Sequence, residues 1–221
     1  MTKQKLIQQI MRDPSAAIIV RRVQDMLDEE RDRRHEFYEW VTPDVKAEFI
    51  NGEIEIHSPV MKRHHDAATA LWSLLHHYSL KHDLGYVGIE KLMISLTRND
   101  YEPDICFFKK ATADQFTDDQ VLFPTPDFVV EILSKSNQKN IDRDRKIKFE
   151  DYEQHQISEY WIVDPEEQTV DQYQLRNGQY ELLLKSKEGQ IHCAAVSGFQ
   201  IPIPAIFDAN VNAEVLKTLL S

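Results

Sequence analysis

The chain has 221 residues, enough for one sizeable domain or for one domain with an extension, and 42% are hydrophobic, including ten Phe, eight Tyr and three Trp. Six Gly and no G-x-G-x-x-G or G-x-x-x-x-G-K-[ST] pattern exclude the common phosphate-cradling loops, and two Cys outside any C-x-x-C pair exclude a disulfide framework and a zinc knuckle. A formal net charge of −11 argues against a broadly basic nucleic-acid surface, and the longest early apolar run, Ala16-Ala17-Ile18-Ile19-Val20, is too short for a bilayer, so a cytoplasmic protein with no membrane partner is expected.

In chain order, residues 3–37 read as helix broken near Pro14, with Val20, Val23, Met26 and Leu27 at helical spacing. Residues 1–40 are therefore expected to be a helical extension, and 41–221 the main domain. Two strands, 46–51 and 53–58, flank Asn51-Gly52, a strong hairpin signal. A long helix over 62–82 carries Leu71, Leu74, Leu75 and Tyr78 as its apolar stripe. Strands follow at 86–96, 105–108 and 128–133, then a helix over 141–155 and a strand at 160–163. Short strands at 170–175, 180–185 and 191–196 alternate with turns at Asn177-Gly178 and Glu188-Gly189. The pattern predicts an α+β or α/β fold, a central mixed sheet flanked by helices.

Glu131 stands out because its strand, Phe128-Val129-Val130-Glu131-Ile132-Leu133, is apolar on both faces. An ionised carboxylate there is costly unless it is paired, hydrogen-bonded or bound to metal. Asp104, after Pro103, shares a strand face with Cys106 and Phe108. On a helix from Ile141, rotation by about 100° per residue groups Arg145, Lys148 and Tyr152 with Ile141, so Lys148 sits on the inward face. Asp104 and Glu131 offer hard oxygens for Mg²⁺ or Mn²⁺, with the carbonyl of Ile132 a further candidate ligand, and the Lys148 ammonium can orient a water or stabilise a phosphorane.

Glu48, Glu53 and His64 are candidates for the outer part of such a site. Lys135, Lys139, Arg143, Arg145, Lys146 and Lys148 face only Asp142 and Asp144, a local excess of positive charge in which Lys135 and Arg145 are candidate phosphate contacts. A zinc site is excluded: the five His between 64 and 82 include no i, i+4 pair and no H-E-x-x-H.

The segments Pro103-Asp104, Val130-Glu131-Ile132-Leu133-Ser134, Asp144-x₃-Lys148-x₃-Tyr152 and Glu159-Tyr160-Trp161-Ile162-Val163-Asp164-Pro165 together resemble the Uma-type restriction endonuclease family of the PD-(D/E)XK nuclease superfamily. Glu48-x₃-Gly52-Glu53, Ser58-Pro59 and His64 agree, and the resemblance spans about 38–207. It implies a restriction-endonuclease-like fold and divalent-metal hydrolysis of nucleic acid, with DNA the expected substrate and a homodimer a possible assembly. It also implies a site of Asp104, Glu131 and Lys148 supported by Asp144 and Tyr152. Leu133 stands where the superfamily commonly has lysine, so Lys148 on the following helix takes that role. The alternatives are a catalytically degenerate nuclease fold that binds nucleic acid or protein, and a structural protein with a buried ion network.

Overall fold

The computed structural model describes residues 3–42, 44–135 and 138–221. Two helices come first, α1 (Lys3–Arg12) and α2 (Ala16–Trp40), parted around Pro14, whose ring cannot supply a helical N–H. The C-terminal part of α2 docks on the rest of the chain. Phe37 is fully buried with its ring 5.7 Å from that of Phe49, Arg34 holds both carboxylate oxygens of Asp100 at 2.6 Å, and Glu30 accepts from Arg98 at 2.6 Å. The preceding half exposes Ile18, Val20, Val23 and Met26.

Strands β1 (Ala47–Ile50) and β2 (Glu53–Ile56) form the expected hairpin. Asn51 and Gly52 have φ of 53° and 86°, the left-handed pair that a tight hairpin turn requires. Helix α3 (Lys62–Lys81) buries Ala67, Ala68, Leu71, Leu74 and Leu75. The single strand expected over 86–96 is two, β3 (Gly85–Ile89) and β4 (Met93–Ser95), because Glu90 and Lys91 turn the chain through positive φ and send the halves to different sheets. Then come β5 (Asp100–Tyr101), β6 (Ile105–Lys109), the short α4 (Lys110–Ala113), β7 (Leu122–Phe123) and β8 (Phe128–Ile132).

A helical run follows in three parts: α5 (Gln138–Asp142), a π-helical turn over Arg143–Lys148, and α6 (Phe149–Gln154). The rest is β9 (Glu159–Asp164), β10 (Thr169–Arg176), β11 (Gln179–Ser186), β12 (Gln190–His192), β13 (Gln200–Pro202) and α7 (Ala209–Leu220). The strand expected over 191–196 thus ends at His192 and pairs with β13. Asp208 caps α7 by accepting from the Asn210 and Val211 N–H groups at 2.8 and 3.0 Å.

The six-stranded sheet has the order β11-β10-β9-β8-β6-β3, and only its β8–β9 pair is parallel. One face packs Ile105, Phe107, Phe128, Val130, Ile132 and Trp161 against α3 and the C-terminal segments. The other packs Cys106, Phe108, Val129, Leu133, Tyr160 and Ile162 with Tyr152 of α6 and with Ile50, Ile94 and Tyr101 of the second sheet, ordered β2-β1-β5-β4-β7. The mixed α+β architecture agrees with the sequence reading. No helix among the described residues is long and apolar enough to cross a membrane.

Candidate active site

The site grows from strand pairing. Antiparallel register sets Ile105 opposite Val130, which brings Asp104 level with Glu131 on the adjacent strand. Both side chains emerge on the face of Cys106, Val129 and Leu133, and both are nearly fully buried at the floor of a cleft of about 420 Å³. The Ile132 N–H donates to Asp104 Oδ2 at 2.7 Å, tying the two strand ends together. Lys46 Nζ lies 3.2 Å from Asp104 Oδ1, and His64 Nε2 lies 3.3 Å from Oδ2.

Lys148 reaches the same floor from the helical run. Its ammonium, 1% exposed, sits 2.8 Å from Glu48 Oε1 and 2.9 Å from Glu131 Oε1, with Asp144 Oδ1 at 3.9 Å and the Tyr101 ring centroid at 5.6 Å. The Tyr152 hydroxyl also donates to Glu131 Oε1, at 2.8 Å. Glu48 is enclosed from every side. Oε1 accepts from the Glu102 N–H at 3.0 Å, and Oε2 lies 3.0 Å from His57 Nε2 and 3.9 Å from Arg143 Nε.

Burial and crowding divide these carboxylates by protonation. For Glu48 and Asp104 burial raises the pKa, but their partners outweigh it: Lys148, the hydrogen bond of His57, and Arg143 hold Glu48 low, and Lys46 and the hydrogen bond of His64 hold Asp104 low. Glu131 is pushed up to about 8, chiefly by burial and further by Asp144, Asp104 and Glu48, against the pull of Lys148. Asp144 is raised by burial in the same field. Burial, reinforced by Glu48, pushes Glu102 up to about 7 despite Lys46 and the Ala47 N–H. Lys148 stays protonated because Glu131, Glu48 and Asp144 outweigh its desolvation. Glu48 and Asp104 are thus the carboxylates held ionised, while Glu131 and Asp144 keep their protons more tightly; a hard cation at Asp104 and Glu131 would take the place of the Glu131 proton.

Of the residues singled out in the sequence, Asp104, Glu131, Lys148, Glu48, His64, Asp144, Tyr152 and Ile132 come together here. Glu53, Lys135 and Arg145 do not. Glu53 is exposed beside the hairpin turn, and Lys135 turns to Asp164 at 2.8 Å. Arg145 was expected on the inward arc with Lys148. The π turn rotates each residue through less than an α-helical step, which swings Arg145 out to Asp171 at 2.8 Å and brings Asp144 in. The basic run is cancelled in space: Lys135 meets Asp164, Lys139 meets Glu55, Arg143 meets Asp144, Arg145 meets Asp171, Lys146 meets Asp142 and Lys148 meets Glu48.

The sequence reading missed Lys46, His57 and Glu102, and it saw Arg143 only as part of a charge run. Lys46 carried a signal, since it stands two residues before Glu48 and so on the same strand face. Among the described residues no group of three or more His, Cys, Asp or Glu side chains is arranged to hold a metal. The available set is the carboxylate pair Asp104 and Glu131 with neighbouring peptide oxygen.

The family model Uma2, described as "Putative restriction endonuclease", matches residues 34–204. The chain belongs to the Uma2 family. The Uma2 match takes in every residue of the cleft floor and leaves out α1 and most of α2. Among solved structures the chain resembles a protein from Anabaena variabilis ATCC 29413, titled a "putative nuclease belonging to DUF820", with a TM-score of 0.64 at 18% identity, covering 82% of this chain and 97% of that one. That likeness supports the Uma2 fold. No curated protein matches the sequence.

Proposed function

We propose that the protein is a metal-dependent endonuclease that hydrolyses phosphodiester bonds, with DNA as substrate. The observation that carries this reading is the buried Lys148 ammonium, held 2.8 Å from Glu48 and 2.9 Å from Glu131 on the same cleft floor as Asp104. A lysine fixed this way beside two adjacent-strand carboxylates suits phosphoryl chemistry better than it suits stability, because a buried ion network is seldom more stable than apolar packing. Membership of a family described as restriction endonuclease supports the same reading.

Asp104 and Glu131, with the Ile132 carbonyl, are the oxygen donors that would hold Mg²⁺ or Mn²⁺; such ions commonly use one or two carboxylates and take their other ligands from water and substrate. The bound ion would supply charge neutralisation at the phosphate and acidify the attacking water. The protein's own groups do the rest. Lys148, kept cationic and fixed by Glu48, faces the charge that grows on the phosphorane or orients the nucleophile. Tyr152 fixes the rotamer of Glu131, and His64 and Lys46 fix that of Asp104.

The test is cleavage of plasmid and single-stranded DNA with Mg²⁺ or Mn²⁺ by the wild type and by Asp104→Ala, Glu131→Ala and Lys148→Ala. Metal-dependent cutting that each substitution abolishes, with the fold retained, is the expected result. No cutting by the wild type with either metal, together with no heat of divalent-ion binding, would overturn the proposal in favour of a buried ion network.

A further inference from the structure

The cleft has an uneven rim. On one side Ile56, Val60 and Met61 are 64%, 43% and 52% exposed, and all three line the cleft that holds Asp104 and Glu131. Ile56 ends β2, and Val60 and Met61 lead into α3, whose first turn carries His64. Three exposed apolar side chains lining one cleft beside a polar floor offer a contact surface.

The cations around this rim are committed. Lys139 meets Glu55 at 2.7 Å, Lys135 meets Asp164 at 2.8 Å, Arg63 lies 3.8 Å from Glu166, and Lys62 pairs with Asp66. Duplex binding draws its affinity from Lys and Arg placed along several phosphates, and this rim offers few without a carboxylate already beside them. Depth adds a second constraint. Asp104 and Glu131 are 5% and 3% exposed, so a phosphodiester must descend to reach them. The cleft, about 420 Å³, has the volume of a small-molecule site, room for one phosphate with its sugar and base. An unpaired strand can lower one phosphate into such a cleft and turn its base against the wall, whereas a paired base must first leave its stack.

We infer that the cleft takes an unpaired DNA strand in preference to intact duplex, with one splayed base resting on Ile56, Val60 and Met61 next to the scissile phosphate. This rests on the phosphodiesterase reading above. Apolar side chains contact unstacked bases without reading their sequence, so the preference is for strand state.

Fluorescence anisotropy without metal, on a labelled single strand and on the blunt duplex of the same sequence, tests the inference apart from catalysis. The single strand should bind ~10-fold or more tightly than the duplex, and the neutral double variant I56S/M61S should lose ~10-fold on the single strand with little change on the duplex. Raising salt from ~50 to ~200 mM should weaken single-strand binding by less than ~10-fold, the shallow slope of few phosphate contacts. Duplex binding as tight or tighter, or a double variant that binds single strand normally, would overturn the inference. If the duplex is then cut in a manner that depends on Asp104, Glu131 and Lys148, the phosphodiesterase reading stands without it. If neither form binds or is cut, both fall.

Discussion

Two buried glutamates on neighbouring strands have opposite surroundings. Glu159 on β9 is 1% exposed, and its Oε1 accepts from Trp161 Nε1 and Gln172 Nε2, both at 2.7 Å. Its Oε2 accepts from the Ala195 N–H at 3.0 Å and from Cys193 Sγ at 3.5 Å. All four donors are neutral, and they bind β9 to β10 and to the segment after β12 (Gln190–His192). Glu131 on β8, 3% exposed, instead meets a lysine, a tyrosine and the field of three further carboxylates. The first arrangement satisfies a buried carboxyl group with hydrogen bonds that tie the fold together. The second crowds a carboxyl group among other carboxylates on the floor of a cleft, so that it holds its proton more tightly than an ordinary glutamate, the kind of perturbation that marks candidate functional sites.

The largest effect that would sharpen this contrast is Lys148→Ala. It should lower cleavage at least ~10³-fold by removing the ammonium from the reacting phosphate. It should also cost about 3–5 kcal/mol in urea unfolding, because Glu48 and Glu131 lose the cation they share. Lys148→Arg should restore much of that stability and little activity, since a planar fork does not reproduce a compact ammonium.

The pair Glu131→Gln and Glu159→Gln should then separate the two roles. Glu131→Gln should abolish cleavage while changing stability by less than about 1 kcal/mol, since Glu131 is already costly as an anion. Glu159→Gln should do the reverse: an amide nitrogen turned toward the Ala195 N–H loses about 1–3 kcal/mol, with cleavage near normal at permissive temperature. If both variants lose the same property, the contrast fails.

A smaller effect is expected at Arg145. Arg145→Met leaves buried Asp171 with Lys185 alone and relaxes the π turn, which should cut the cleavage rate by ~10-fold with KM little changed, through displacement of Lys148. The smallest lies outside the cleft. Burial raises the Asp164 pKa, but Lys135 and the N–H groups of Glu166 and Glu167 outweigh it, so the folded value lies below the unfolded one. Its contribution to stability is therefore present above the ordinary aspartate pKa and is lost as pH falls through the lower folded value. Asp164→Asn should flatten that part of the acid limb of a stability–pH curve and leave the neutral-pH cleavage rate unchanged.

Much of this was legible in the sequence where the cause was local. Asn51-Gly52 dictated its turn, and Glu131 inside an apolar strand announced a buried charge. Asp104 kept the face that strand alternation gives it. What stayed hidden depends on partners far along the chain. The run from Lys135 to Lys148 read as a basic patch because Glu55, Asp164 and Asp171, which neutralise Lys139, Lys135 and Arg145, are remote from it in sequence. The π turn was hidden for another reason: it shifts residues by part of a helical step, so an α-helical projection puts Arg145 inside and Asp144 at the edge. His57 escaped notice because it becomes interesting only once the hairpin of β1 and β2 brings it against Glu48, whereas Lys46 had a local signal in its spacing from Glu48 and lacked only its partner Asp104, remote in sequence.

The cancelled charges also bear on how the protein and its substrate meet. A chain with a formal net charge of −11, whose cleft-side cations already face carboxylates, presents no attractive field to a polyanion. On the proposed reading, encounter is slowed by mutual repulsion, and added salt quickens it by screening, the reverse of the usual steering of nucleic-acid enzymes. Such a nuclease does not gather DNA from a distance. On that same reading, a strand brought close by other means would be cut more readily than one that must approach through solution.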